Sequence, residues 1–199
     1  MHTHRPMFYV FAGNNGSGKS TFRNLIVDKI GIDINIDPDA IARKIDPENP
    51  ETRRLEAGKE VIKSVYQYIK EGKDFSIETT LAGKNVIRQM EKAKKSRYEI
   101  TMFYIALNNV KQNIERVAMR VENGGHHIPT EDIIRRNSTS FAHLYQYSHL
   151  VDNLILIDNS QANGEIVMEI NSGKITFQSK YLPSWVLPLK EQYQKQDKI

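Results

Sequence analysis

Gly13-Asn14-Asn15-Gly16-Ser17-Gly18-Lys19-Ser20 fits the pattern G-x-x-x-x-G-K-[ST] at every fixed position. Binding a polyphosphate through main-chain groups demands these residue types. The glycines let backbone N–H groups turn inward and approach a phosphate without a Cβ clash. Lys19 places a point charge on the β- and γ-phosphates, and Ser20 offers its hydroxyl to Mg²⁺. Thr21 continues into a helix whose positive N-terminal end faces the anion. The expected ligands are ATP and Mg²⁺, held by residues 13–21.

A phosphate loop holds a donor but does not choose an acceptor. A kinase also needs a group that orients or deprotonates the acceptor hydroxyl. Asp37 and Asp39 flank Pro38 just past an apolar run and are candidates. Asp39 is the expected base, against the alternative that it caps the helix beginning at Ala40. Asp37 is expected to contact substrate, with capping as its alternative. Glu78 follows another apolar run and is expected to hold Mg²⁺ through water or to bind substrate, against a solvated charge.

A basic segment lies further on. Arg116 and Arg120 are four residues apart and share a helix face. Gly124-Gly125-His126-His127 follows, then Arg135-Arg136. Glycines flanked by arginines suit a lid over 116–136 that closes on a triphosphate and supplies charge to the transition state. Arg116 and Arg120 are expected in catalysis and Arg136 in nucleotide binding. His126 and His127 are adjacent, point apart and have no third ligand, so a zinc site is not expected.

These groups must be positioned by the elements around them. Met7–Ala12 is a buried strand without polar alternation, as in a parallel sheet. A helix over Ser20–Ile30 follows, with Phe22, Leu25 and Ile26 toward the sheet. Ile32–Ile36 is a second strand, which Pro38 ends. A helix over Leu55–Lys70, capped by Gly72, leads to a strand over Phe75–Ile77. Then come a helix over Asn85–Lys95, a strand over Ile100–Leu107, helices over Val110–Glu122 and Thr130–His149, and a fifth strand over Leu154–Ile157. This alternation predicts an α/β fold: a five-stranded parallel sheet with helices on both faces. Its ligands bind at the carboxyl ends of the strands. Gly13, Asp37, Asp39, Glu78 and Asp158 all fall there. Ile166–Ile170 and Lys174–Gln178 alternate around Asn171-Ser172-Gly173 and predict a small C-terminal hairpin extension. The polar tail from Glu191 is expected to fray.

At 199 residues the chain fits one domain, with the hairpin and tail over 164–199. It has no cysteine, which excludes disulfides, thiol catalysis and Cys-ligated zinc. No apolar run approaches the ~20 residues of a membrane span. Met1–Pro6 lacks the apolar core of a signal peptide, so a cytoplasmic location is expected. His2 and His4 are too sparse for a tag or a metal site. The formal net charge of +4 suits phosphate handling, and nucleic acid is not an expected partner.

The phosphate loop with Asn14-Asn15 is joined by further motifs in order. They are Asn35-Ile-Asp-Pro-Asp39-Ala-Ile-Ala42, Ile77-Glu78-Thr-Thr-Leu81, Glu115-Arg116-Val-Ala-Met-Arg120-Val, Gly124-Gly-His126 and Asp158-Asn-Ser160. This ordered set resembles the zeta-toxin family of P-loop kinases over most of the chain. The resemblance implies phosphoryl transfer from ATP, in toxin members to a hydroxyl of a UDP-N-acetyl amino sugar. It implies Lys19 as the phosphate lysine, Asp39 as the base, Glu78 and Thr80 as substrate or metal ligands, and Arg116 as a γ-phosphate arginine. It also brings an antitoxin protein into view as a partner. Two positions depart from the family pattern. Ala82 stands near the place of an arginine that follows the Glu-x-Thr, and His126 stands near that of the second lid arginine. The first reading is therefore an ATP-dependent kinase of a small hydroxyl-bearing acceptor. The alternatives are a nucleoside, nucleotide or polynucleotide kinase, and a nucleotide-dependent binding protein with weak ATPase activity.

Overall fold

The computed structural model describes residues 5–196, so His2 and His4 lie outside the described residues. Seven strands form one mixed sheet in the order β2-β3-β1-β4-β5-β6-β7. The strands are β1 (Met7–Ala12), β2 (Asn35–Ile36), β3 (Phe75–Thr79), β4 (Glu99–Ala106), β5 (Asn153–Asp158), β6 (Glu165–Asn171) and β7 (Lys174–Gln178). The first five are parallel, as expected. The hairpin β6–β7 is not a separate extension. β6 pairs antiparallel with β5 along its whole length, so the sheet has seven strands rather than five. The physical reason is the open edge that β5 would otherwise present, with its N–H and C=O groups unpaired. Between β6 and β7, Ser172 (φ 49°) and Gly173 (φ 80°) both take left-handed conformations, the signature of a type I′ hairpin turn.

Side-chain alternation along the central strands sorts the core into two faces. Phe8, Val10 and Ala12 of β1 and Ile100, Met102, Tyr104 and Ala106 of β4 join the larger cluster. Tyr9, Phe11 and Phe103 point the other way, with the Phe11 and Phe103 rings stacked at 5.1 Å. The larger face is covered by α3 (Arg54–Glu71), α4 (Lys84–Lys95), α6 (Thr130–Tyr147) and α7 (Leu187–Gln196). The smaller face packs on α1 (Lys19–Ile30) through Ile26 and Val27. Leu25, expected to face the sheet, is 59% exposed instead. Ile32 also joins this smaller cluster, and the second strand contracts to the two residues of β2. α2 (Pro38–Ile45) follows it directly, and α5 (Val110–Glu122) precedes α6.

The tail from Glu191, expected to fray, instead continues α7. α7 buries Leu189 and Tyr193, and Trp185 just before it packs on the rings of Tyr104 and Phe141. Trp185, Leu189 and Tyr193 recur every four residues, so one apolar stripe runs through an otherwise polar stretch. That stripe makes the tail part of the core. Leu189→Ala should therefore cost about 2–5 kcal/mol, measured by urea unfolding. A loss of a few tenths would mean that the segment is not part of the cooperative unit.

Candidate functional site

The site forms where β1 delivers the chain into the glycine-rich loop, at the carboxyl edge of the sheet. β1 lies between β3 and β4, and successive connections leave it in opposite directions, which opens a crevice there. Gly13 N donates to Thr79 O at 3.2 Å, tying the loop to the end of β3. Gly16 (φ 75°) and Gly18 (φ 98°) take left-handed conformations. A Cβ on Gly18 would stand 2.4 Å from Asn159 Nδ2, and one on Gly16 would stand 2.6 Å from Asn113 O. Glycine is needed at both positions for backbone conformation and for space.

Turning the loop's N–H groups inward leaves its carbonyls facing out, where they need donors. Asn113 Nδ2 donates to Asn15 O and Asn159 Nδ2 donates to Ser17 O, both at 2.8 Å. Lys19 Nζ donates to Asn14 O at 2.9 Å. Burial lowers the Lys19 ammonium below its ordinary pKa, while Glu78 and Asp39 pull the other way. A cation held partly dehydrated, beside inward-facing amides, fits a polyphosphate. The side chains of Asn14 and Asn15 do something else. Asn14 Nδ2 donates to Ile133 O (3.1 Å), and Arg136 donates to Asn15 Oδ1 (3.1 Å). They tie α6 to the loop.

The acidic groups cluster beside it. Ser20 Oγ donates to Glu78 Oε2 at 2.9 Å, and Arg23 of α1 lies 2.7 Å from Glu78 Oε1. Burial pushes the Glu78 carboxyl above its ordinary pKa, against the Arg23 guanidinium and with Asp37 adding to the rise. A hydroxyl and a carboxylate in direct contact are hard oxygen donors suited to Mg²⁺ alongside phosphate oxygens. Among the described residues no cluster of three or more His, Cys, Asp or Glu could hold a metal unaided.

The capping role weighed from sequence for both aspartates falls to one of them. Asp37, not Asp39, is the N-cap of α2: its Oδ1 accepts from Asp39 N at 2.9 Å. Pro38 occupies the first helical position, where a missing N–H costs nothing. The other Asp37 oxygen lies 3.8 Å from both Arg23 and Arg43. Asp39 sits in the first turn of α2 with an exposed carboxylate.

One cavity of about 560 Å³ gathers these groups. Its lining includes Lys19, Ser20, Thr21, Asp37, Asp39, Glu78 and Thr80, with Asn15, Gly16 and Gly18 of the loop. Arg116, Arg120, Arg136 and His126 close it from the basic segment. Arg116 donates to Asn159 O (2.8 Å) and Arg120 to His126 O (3.2 Å). Gly13, Asn14 and Ser17 do not line it, and neither does Arg135, which pairs with Asp132 at the surface. Asp158 is also absent from the lining. It accepts from Ser160 and Asn108 and shapes the turn after β5. The basic segment is anchored by an apolar cluster of Val117, Ile128 and Ile133.

Sequence reasoning missed Arg23 and Asn113 and gave Asn159 no role. Arg23 carried a signal, since it stands three residues after Ser20 on the same helix face. Asn113 and Asn159 act across 98 and 142 residues, and nothing local marks them. Arg23 also generates a test. Its side chain is 16% exposed and that of Glu78 is 8%. Arg23→Met strands a nearly buried carboxylate and should lower stability by about 1–3 kcal/mol in urea unfolding. Adding Glu78→Gln should recover part of the loss. Additive losses in the double variant would show that the two side chains are not coupled.

The family model described as Zeta toxin matches residues 1–180. An uncharacterized protein of Haemophilus influenzae is 39% identical over 131 residues, which is 66% of this chain and 90% of that protein. The chain is similar in structure to the PezAT chromosomal toxin-antitoxin system of Streptococcus pneumoniae, with a TM-score of 0.63. That alignment has 16% identity and covers 98% of this chain and 88% of that one. It is also similar to the AvrRxo1-ORF1:AvrRxo1-ORF2 complex with sulphate ions, with a TM-score of 0.66 at 12% identity. Here 96% of this chain matches 63% of that one. At such identities the two structures speak for the fold, a P-loop kinase-like α/β sheet, whereas the family match rests on the sequence itself. The chain belongs to the zeta-toxin family.

Proposed function

We propose that this protein transfers the γ-phosphate of ATP to a hydroxyl of a small acceptor. The observation that carries the reading is one cavity that holds both a set of cations and an exposed carboxylate. Lys19, Arg116, Arg120 and Arg136 line it, and Asp39 faces the same space.

In the step proposed, the acceptor oxygen attacks the γ-phosphorus as the bond to the β,γ-bridging oxygen breaks. ADP leaves with that oxygen, and the acceptor's proton passes to the Asp39 carboxylate. Lys19 holds the β- and γ-phosphates. Arg116 and Arg120 offset the charge that shifts onto the transferred group and its leaving oxygen. Arg136 secures the nucleotide end of the loop through Asn15. Ser20 and Glu78 are the residues that would hold Mg²⁺, which when bound neutralises the β- and γ-oxygens. Thr80 and Glu78 face the acceptor, whereas Asp37 acts by capping α2 and so sets the direction of Asp39. The family resemblance suggests a UDP-N-acetyl amino sugar as an acceptor to try first. It also suggests an antitoxin as a protein partner, which co-purification from the source organism would reveal.

The aspartates give the sharpest test of mechanism. Asp39→Asn keeps the size of the side chain and removes the base, so phosphoryl transfer should fall by about 10²–10⁴-fold. Its melting temperature and ATP affinity should remain. Asp37→Ala should instead lose a helix cap, costing about 0.5–2 kcal/mol of stability. A fully active Asp39→Asn variant would remove Asp39 from the base role.

A further inference from the structure

Leu81 follows the strand-end residues Glu78, Thr79 and Thr80, and its backbone is unusual. Its φ is 59°, in the left-handed region that a residue with a Cβ rarely adopts. Among the described residues Arg97 and Ser172 are the other non-glycines there, and both are exposed, whereas Leu81 is 1% exposed. Such a conformation persists only where the surroundings fix it. Here the side chain is packed in the larger core cluster, and the N–H donates to Thr79 Oγ1 at 3.0 Å. The carbonyl lies 2.8 Å from His143 Nδ1. A carbonyl can only accept, so Nδ1 carries the proton and donates it.

The lining of the cavity depends on this residue. Thr79 and Thr80 line it before Leu81 in the chain, and Gly83 and Asn85 line it after, while Leu81 and Ala82 do not. The backbone angles of Leu81 therefore set how the second pair stands relative to the first. Thr79 has a tie of its own, since its carbonyl accepts from Gly13 N. His143 stands about two turns after Arg136 on α6, so the two share a face. Ser140, between them, is buried, and its hydroxyl bonds the Tyr104 hydroxyl of β4 at 2.8 Å, which fixes the helix on the sheet. Near its start the same helix bonds the phosphate loop, where Ile133 O accepts from Asn14 and Arg136 donates to Asn15. One anchored helix holds both the phosphate loop and the turn after β3.

We infer that His143 is a positioning residue for the acceptor: its Nδ1–H holds Leu81 in the left-handed conformation and so fixes Thr80, Gly83 and Asn85 in the cavity. This rests on the kinase reading above and adds to it a residue that does not itself line the cavity.

The test compares two variants of the full chain that separate the hydrogen bond from the packing. His143→Phe keeps a ring against that of Tyr147, whose centroid lies 5.6 Å away, and has no donor. His143→Asn loses the ring and keeps an N–H donor on Cγ, where Nδ1 stands. The acceptor is the compound that wild type labels in a metabolite extract supplied with ATP labelled in the γ-phosphate. His143→Phe should raise KM for that compound about tenfold, the worth of one neutral hydrogen bond, with kcat and ATP affinity nearly unchanged. Amide hydrogen exchange over residues 80–85 of the free protein should quicken in the same variant. His143→Asn should return both readings toward wild type, whichever variant melts lower. The reverse order, with Phe near wild type and Asn impaired, makes the ring contact the one that matters and overturns the inference. Wild-type KM and exchange in both variants overturns it too, and in either case the labelled compound leaves the kinase reading intact. ATP binding with no compound labelled by wild type overturns the kinase reading and the acceptor role of His143 together.

Discussion

A loop that points its amides at a phosphate must point its carbonyls away, and those carbonyls need partners. Here two of them receive partners from distant parts of the chain and a third from the loop itself. Asn113 on α5 takes Asn15 O, Asn159 after β5 takes Ser17 O, and the loop's own Lys19 takes Asn14 O. The same close contacts exclude a Cβ at Gly16 and Gly18. Holding the loop open therefore draws α5 and the end of β5 against it. Once α5 is there, Arg116 and Arg120 face the cavity. Asn14 and Asn15 extend the arrangement to α6 and Arg136. The cationic half of the site is a consequence of how the loop's main chain is satisfied.

The acidic half depends on burial. Glu78 ends a strand covered on both faces, and its carboxylate is nearly enclosed. Arg23 and the Ser20 hydroxyl keep it in place at short range. Asp37 shares Arg23 and caps α2, so one guanidinium links the end of β3 with the start of α2. Asp39 is left outside this network with its carboxylate exposed. Such a division, one acid held by partners and another facing open space, is the arrangement a base needs if it is to accept a proton from a ligand.

Much of this was legible in the sequence because local patterns encode it. The phosphate loop, the five parallel strands and the strand-end acids follow from residue type and period. The hairpin turn at Ser172-Gly173 was legible too, but not the partner of its first strand, since nothing in β6 specifies that it will pair with β5. The capping role of Asp37 was readable from Pro38, which favours the first helical position and so makes the preceding residue the cap. Weighing Asp39 as the cap overlooked that rule. The C-terminal helix was obscured by its polar residues, although Trp185, Leu189 and Tyr193 keep a helical spacing. Asn113 and Asn159 were not readable at all. Their chemistry lies in contacts set by tertiary packing.

The fate of the γ-phosphate decides the central claim most directly. The protein is incubated with a metabolite extract and ATP labelled in that group, and the products are separated by mass. The label should appear on a small hydroxyl-bearing compound together with ADP, and Lys19→Ala should abolish it. Label released solely as inorganic phosphate, or found on nucleic acid, would contradict the account.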